Sequence, residues 1–271
     1  MVNVEYNIPP LPDQKAADPT AFSGIVMEGV SKSFGSKQVL KETDLLIHKG
    51  ETLVVFGRSG EGKSVLLKHI VRLLEPDSGK IWVEGEEISE MEISDLMEMR
   101  KQFGFLFQGA ALFDSMNVCK NVGLSLEEHS GWPMDKISAR ACEALALVGL
   151  MDSDDKLPSE LSGGMKKRAG LARAIVMEPE YILYDEPTTG LDPITGDAIN
   201  DLIIKTQKDL GVTSIVVTHD MASAFKVADR MAMLSRGKIV FTGTVEEVRS
   251  TDHPMVRQFI EGNSQGPLGA F

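Results

Sequence analysis

Cysteine is nearly absent. Cys119 and Cys142 are the two among 271 residues. Both sit in stretches of helical pattern, so neither a disulfide framework nor a cysteine metal centre is on offer, and a reducing cytoplasm fits. Long apolar runs are also missing: none approaches the ~20 residues that a bilayer-spanning helix needs. Positive charge is in deficit. Lys and Arg number 28 against 40 Asp and Glu, a formal net charge of −12, which argues against a non-specific nucleic-acid binder. Residues 1–24 are Pro-rich and mildly acidic without an apolar h-region, so they are expected to be a disordered arm rather than a secretory signal. No internal repeat is visible. What remains is ordinary for a globular chain, 42% hydrophobic and 25% charged. The length allows one compact α/β domain with a smaller subdomain.

Residues 57–64 read G-R-S-G-E-G-K-S and fit the phosphate-loop pattern G-x-x-x-x-G-K-[ST]. The apolar run Leu53, Val54, Val55, Phe56 precedes the loop, and a helical pattern from Val65 to Val71 follows it. Glycines at 57, 60 and 62 let the backbone curl around an anion, with N–H groups pointing inward from Arg58, Ser59, Gly60, Glu61 and Gly62. The N-terminus of the following helix adds partial positive charge. Lys63 is placed for the β- and γ-phosphates and Ser64 for Mg²⁺. The plainer alternative is a chance glycine-rich turn.

Two hairpin-like strands are expected between Ile25 and Ile47, around a turn at residues 34–37. Strands and helices then alternate, apart from residues 109–160, where a helical pattern suggests an inserted subdomain. The alternation implies a mainly parallel sheet with helices on both faces. The strand at residues 181–184 ends in Asp185 and Glu186, aimed at a ligand crevice if the sheet is parallel. Asp185 suits the Mg²⁺ shell and Glu186 suits polarisation of a water; the bland reading is a pair of solvated acids. His219 ends the next strand. Leu161, Ser162, Gly163, Gly164 and Met165 precede a basic helix that Ser162 can cap, and Asp192 can cap a helix starting near Pro193.

Taken in order, the phosphate loop, Gln108, L-S-G-G-M, Asp185-Glu186, the Asp192 turn and His219 resemble the nucleotide-binding subunit of an ATP-binding-cassette (ABC) transporter, over roughly residues 25–241 of an ATPase domain expected at 25–243. The resemblance implies an α/β fold: a P-loop NTPase core with an antiparallel β subdomain and an inserted α-helical subdomain. It implies ATP and Mg²⁺ as cofactors, a homodimer that sandwiches two ATP molecules, and no nucleic-acid partner. Each ATP would meet one chain's phosphate loop and the other chain's Ser162, Gly163 and Gly164. Glu186, His219 and Lys63 would be catalytic, and Ser64, Gln108 and Asp185 would hold the metal. Asp192 would bridge the seam, and Phe34 would stack on adenine where the family often has Tyr; its alternative is an ordinary strand-end aromatic. Two departures, Met165 for Gln and Val65 for Ser or Thr, leave activity intact, since Val65 offers its backbone N–H.

The tail, with Thr242-Gly243-Thr244, Asp252, Pro254, Val256, Gln258, Phe259 and Gly262, resembles the ATPases of Mla and MCE-type phospholipid-transport systems. That likeness implies a peripheral protein at the cytoplasmic face of the inner membrane. Its partners would be separate permease chains, an MCE-type lipid-binding protein and a small accessory subunit. The alternatives are an importer ATPase for amino acids or other small solutes and a soluble cluster-assembly ATPase; a P-loop kinase gives L-S-G-G-M no role. Residues 244–271 are expected as two short amphipathic helices broken near Pro254, then a polar end after Gly262 that is either disordered or reaches across to a partner ATPase.

Overall fold

The first layer is set by a hairpin. β1 (Gly24–Phe34) and β2 (Lys37–His48) pair antiparallel around Gly35, whose φ of 59° suits the tight turn. The structure is a computed structural model describing residues 16–269. β3 (Thr52–Phe56) follows, buried throughout, then the phosphate loop and α1 (Lys63–Ile70). β4 (Ser78–Val83) and β5 (Glu86–Glu87) complete an antiparallel sheet in the order β2-β1-β4-β5. Next come α2 (Ile93–Arg100), β6 (Phe103–Leu106), α3 (Val118–His129), α4 (Met134–Leu147) and α5 (Gly163–Ile175). β7 (Tyr181–Asp185), α6 (Pro193–Leu210), β8 (Thr213–Thr218), α7 (Met221–Val227), β9 (Arg230–Ser235) and β10 (Lys238–Thr244) continue the chain. α8 (Val245–Ser250) and α9 (Pro254–Glu261) close it.

The second sheet runs β10-β9-β3-β8-β7-β6, parallel except for the antiparallel β9–β10 edge. Its central strands are apolar runs without polar alternation because both faces are covered. Val54, Phe56, Ile182, Tyr184 and Val216 pack on one side with the helices α3 to α7. Leu53, Val55, Leu183, Ile215 and Val217 pack on the other with α1 and the antiparallel sheet. β8 lies between β3 and β7, so the phosphate loop, Thr218 and Asp185 leave the same sheet edge together.

Three expectations need correction. The helical pattern read from residue 109 begins only at Val118: residues 107–117 form turns, with Ala110 and Ala111 at φ 61° and 48°. Buried Asn121 holds that loop, accepting from Phe113 N at 2.7 Å and donating to Phe113 O and Met116 O. The arm expected to be disordered up to residue 24 is ordered from residue 16. Ala16 and Phe22 pack against Val26, Leu46 and Trp82, while residues 1–15 lie outside the described residues.

Nor are residues 263–269 disordered. α9 ends at Gly262 (φ 67°), and the chain turns back over its own phosphate loop. Leu268 N donates to Gln258 Oε1 at 2.8 Å, and Leu268 is buried. The carbonyls of Leu268 and Pro267 accept from Arg58 at 2.7 Å and Arg236 at 2.8 Å.

Candidate nucleotide site

α1 starts at Lys63, before the apolar pattern, because Gly62 takes its N-cap at φ 106°. No side chain caps this helix start, so the first N–H groups and the dipole face outward where an anion can sit. A Cβ on Gly62 would come within 2.8 Å of Val39 Cγ1, so β2 closes the loop from behind. Arg58 is engaged by the tail, Glu61 accepts from the Arg236 N–H, and Ser59 and Gly60 are exposed. Val65 is half-buried against the core.

Lys63 is 5% exposed. Its Nζ donates to Gly57 O at 2.9 Å and Arg58 O at 3.2 Å, and lies 3.4 Å from Glu186 Oε1. The ammonium is thus folded into the loop that an entering phosphate would occupy. Ser64 Oγ donates to Asp185 Oδ1 at 2.6 Å. Burial pushes the Asp185 carboxyl above its usual range, with the Ser64 hydrogen bond opposing. Glu186 leaves the strand at φ 49°, a left-handed conformation uncommon outside glycine. Its Oε2 lies 2.9 Å from His219 Nδ1 and accepts from Thr189 Oγ1 at 3.0 Å. Burial would push this carboxyl up, but His219 and the Lys63 charge hold it below the usual carboxylate range. A buried, ionised carboxylate beside a cation pocket has the chemistry to polarise a water.

Gln108 sits in an exposed turn just past β6, whose neighbour in the sheet is β7. Phe34 ends β1 with 47% of its surface exposed, and Lys32 Nζ is 5.9 Å from its ring. The remaining expected residues gather elsewhere. Ser162 caps α5 through Met165 N, and a Cβ on Gly163 or Gly164 would meet Leu191 Cδ2 at 3.3 Å or Thr195 Cγ2 at 2.5 Å. Asp192 caps α6, accepting from Ile194 N and Thr195 N. Ser162, Gly163 and Asp192 are all exposed. The chain therefore brings together Lys63, Ser64, Asp185, Glu186 and His219, and packs the L-S-G-G-M segment against the Asp192 turn.

Among the described residues no three of His, Cys, Asp or Glu converge as a metal cage. The Ser64 and Asp185 oxygens are nonetheless hard donors of the kind that Mg²⁺ accepts alongside phosphate and water.

One residue escaped the motif reading. Lys167 is 5% exposed, and its Nζ donates to Gln108 O at 2.5 Å and Glu186 O at 3.0 Å. The signal for it was periodicity: Gly164, Lys167, Leu171 and Ala174 form one buried stripe of α5, so a lysine stands at a core position.

A glycine loop between a strand and a helix N-terminus, facing paired carboxylates across a parallel sheet, defines a P-loop nucleoside triphosphatase. The profile described as ABC transporter matches residues 40–189, and the chain belongs to that family, as an ATP-hydrolysing cassette with the expected α/β architecture. It is similar to the probable ribonucleotide transport ATP-binding protein mkl of Mycobacterium tuberculosis, 44% identical over 90% of this chain and 68% of that protein. It is also similar to the intermembrane phospholipid transport system ATP-binding protein MlaF of Escherichia coli, 40% identical over 89% of this chain and 90% of that protein. Among solved structures, a dimeric post-hydrolysis state of the ATP-binding cassette MJ0796 with ADP and Pi superposes with a TM-score of 0.76 at 30% identity. That match covers 82% of this chain and 98% of the other.

Proposed function

We propose that this chain is the motor subunit of a phospholipid transporter, working as a head-to-tail homodimer beneath separate permease chains. The observation that carries the dimer is the exposure of Ser162 and Gly163, grouped with the Asp192 turn rather than with the chain's own phosphate loop. A second copy turned about a two-fold axis would offer that segment to the γ-phosphate, and the dimeric state of MJ0796 supports this reading. In the assembled site Lys63 and the 57–65 backbone bind the phosphates, Phe34 stacks on adenine, and Glu186 orients and deprotonates the attacking water. His219 contacts the γ-phosphate and Asp192 reaches across the seam. Ser64, Asp185 and Gln108 would hold Mg²⁺, which when bound neutralises charge on the phosphates.

Among the described residues no helix is long and apolar enough to cross a membrane. The permease on other chains and the peripheral place at the cytoplasmic face of the inner membrane rest on the likeness to MlaF. A groove of about 490 Å³, lined by Met97, Phe103, Phe105, Phe113 and Arg173, has the apolar floor and basic edge suited to a permease segment. Phospholipid as cargo is supported by the similarity to MlaF, a subunit of an intermembrane phospholipid transport system, and by the tail pattern, with an MCE-type lipid-binding protein and a small accessory subunit as further partners. The similarity to mkl, a probable ribonucleotide transport ATP-binding protein, favours a nucleotide cargo instead. Copurification of the chain with its permease from membranes, followed by extraction of bound small molecules, decides between them. Phospholipid in excess of a permease-free control is the expected result; no such excess, or a nucleotide other than the ATP and ADP of the cassette's own sites, refutes it.

A further inference from the structure

We infer that Lys167 is a positioning residue for ATP hydrolysis, its ammonium tying the backbone carbonyl of Gln108 to that of Glu186. A methionine or leucine at this buried position on α5 would fill the same space without the cost of desolvating a charge. An ammonium adds three N–H donors at one point, and two of them are directed at carbonyls that belong to different strand ends.

The link to the Gln108 side is rigid. One turn further along α5, a Cβ on Gly170 would meet Leu106 Cδ1 at 2.8 Å and Ala110 Cβ at 3.2 Å. Arg173 donates to the carbonyls of Ala110 and Ala111, each at 2.6 Å. α5 and the 108–111 loop are therefore tied by close packing and by three side-chain hydrogen bonds. The link to Glu186 acts on a strained residue: φ 49° persists only where neighbours over-determine it. Glu186 N donates to Val217 O at 2.9 Å and its carbonyl accepts from Lys167, so the backbone of the catalytic carboxylate is pinned from both sides. Because α5 begins at Gly163, Lys167 joins the helix that carries the L-S-G-G-M segment to the backbone of Glu186. Lys167 touches no reacting atom; it sets where the carboxylate sits.

The inference rests on Glu186 polarising the water, and the experiment separates the two. In the full chain, Lys167→Met keeps an unbranched stem and loses every N–H donor, while Lys167→Gln restores N–H donors, one bond nearer the helix and without the charge. Steady-state ATPase activity, nucleotide affinity and melting temperature are measured on each, beside Glu186→Gln. Lys167→Met is expected to lose about tenfold to a hundredfold in kcat, with nucleotide affinity within about twofold of wild type. Lys167→Gln should recover to within about threefold of wild type. Three results overturn the inference: an unchanged kcat in Lys167→Met, affinity falling in step with kcat, or equal impairment of both variants. If Lys167→Met does not fold, Lys167→Gln decides alone, supporting the inference within that about threefold range and overturning it beyond about tenfold. Wild-type turnover in Glu186→Gln would instead remove the catalytic reading itself.

Discussion

Glu186→Gln separates binding from chemistry. In the folded chain Glu186 Oε1 faces Lys63 Nζ at 3.4 Å, and Oε2 receives Thr189 Oγ1 and His219 Nδ1. The amide keeps one oxygen for Thr189 and His219 but loses the charge and turns an NH₂ toward an ammonium. The phosphate contacts lie elsewhere, in the glycine loop, Lys63 and the α1 N-terminus, and survive. General-base assistance contributes about 10²–10⁴-fold, or roughly 3–5 kcal/mol of barrier at about 1.4 kcal/mol per decade. The expected outcome is turnover reduced at least about a hundredfold with ATP affinity within about twofold. Phosphate release at saturating ATP reads the first, titration of a fluorescent ATP analogue the second, and sedimentation with ATP should show a trapped dimer. A variant that hydrolyses at the wild-type rate, or that loses affinity in parallel, refutes the reasoning. Stability supplies a signed check. The Glu186 carboxyl is held below its usual range, so its contribution is present above the unfolded-state value of about pH 4.3 and is lost as pH falls through the folded-state value. The stability gap between wild type and Glu186→Gln should therefore narrow on acidification below about pH 4.3.

Lys63→Ala should lose about tenfold to a hundredfold in nucleotide affinity, since charge-assisted bonds to phosphate contribute roughly 1.5–3 kcal/mol; equilibrium dialysis with ATP checks it. Gly62→Ala meets Val39 at 2.8 Å in a left-handed conformation, so urea unfolding should report a loss of roughly 1–3 kcal/mol. Phe113 is 51% exposed, so Phe113→Asp should leave urea unfolding within about 0.5 kcal/mol while abolishing recovery with permease-containing membranes; retained recruitment would exclude the groove. Deleting residues after Gly262 removes the Leu268 seat and the two carbonyls that accept from Arg58 and Arg236, costing roughly 1.5–3 kcal/mol in thermal unfolding. Unchanged unfolding with weakened association without ATP would mean instead that the tail acts on a second copy.

The phosphate loop was legible because its determinants are local. Gly60 and Gly62 take positive φ within a few residues of the strand they follow, and the loop needs little else to form. The central strands were legible for a related reason: burial on both faces leaves β3 and β7 continuously apolar, and the chain can carry that pattern only where helices cover the sheet. Periodicity likewise foretold α6 from Pro193, with Asp192 as its cap, because capping is a contact over three residues. The conformations of Ala110 and Ala111 were not legible, since Arg173 holds both carbonyls from another element. The seat of Leu268 depends on Arg58, 210 residues away along the chain. Lys167 belongs to the same class. Its spacing on α5 marked a buried position, yet its role exists only because tertiary packing brings Gln108 O and Glu186 O within reach of one ammonium. Local sequence specifies what backbone geometry and a neighbouring side chain can enforce. Where donors and acceptors come from strands far apart in the chain, the sheet order decides which of them meet.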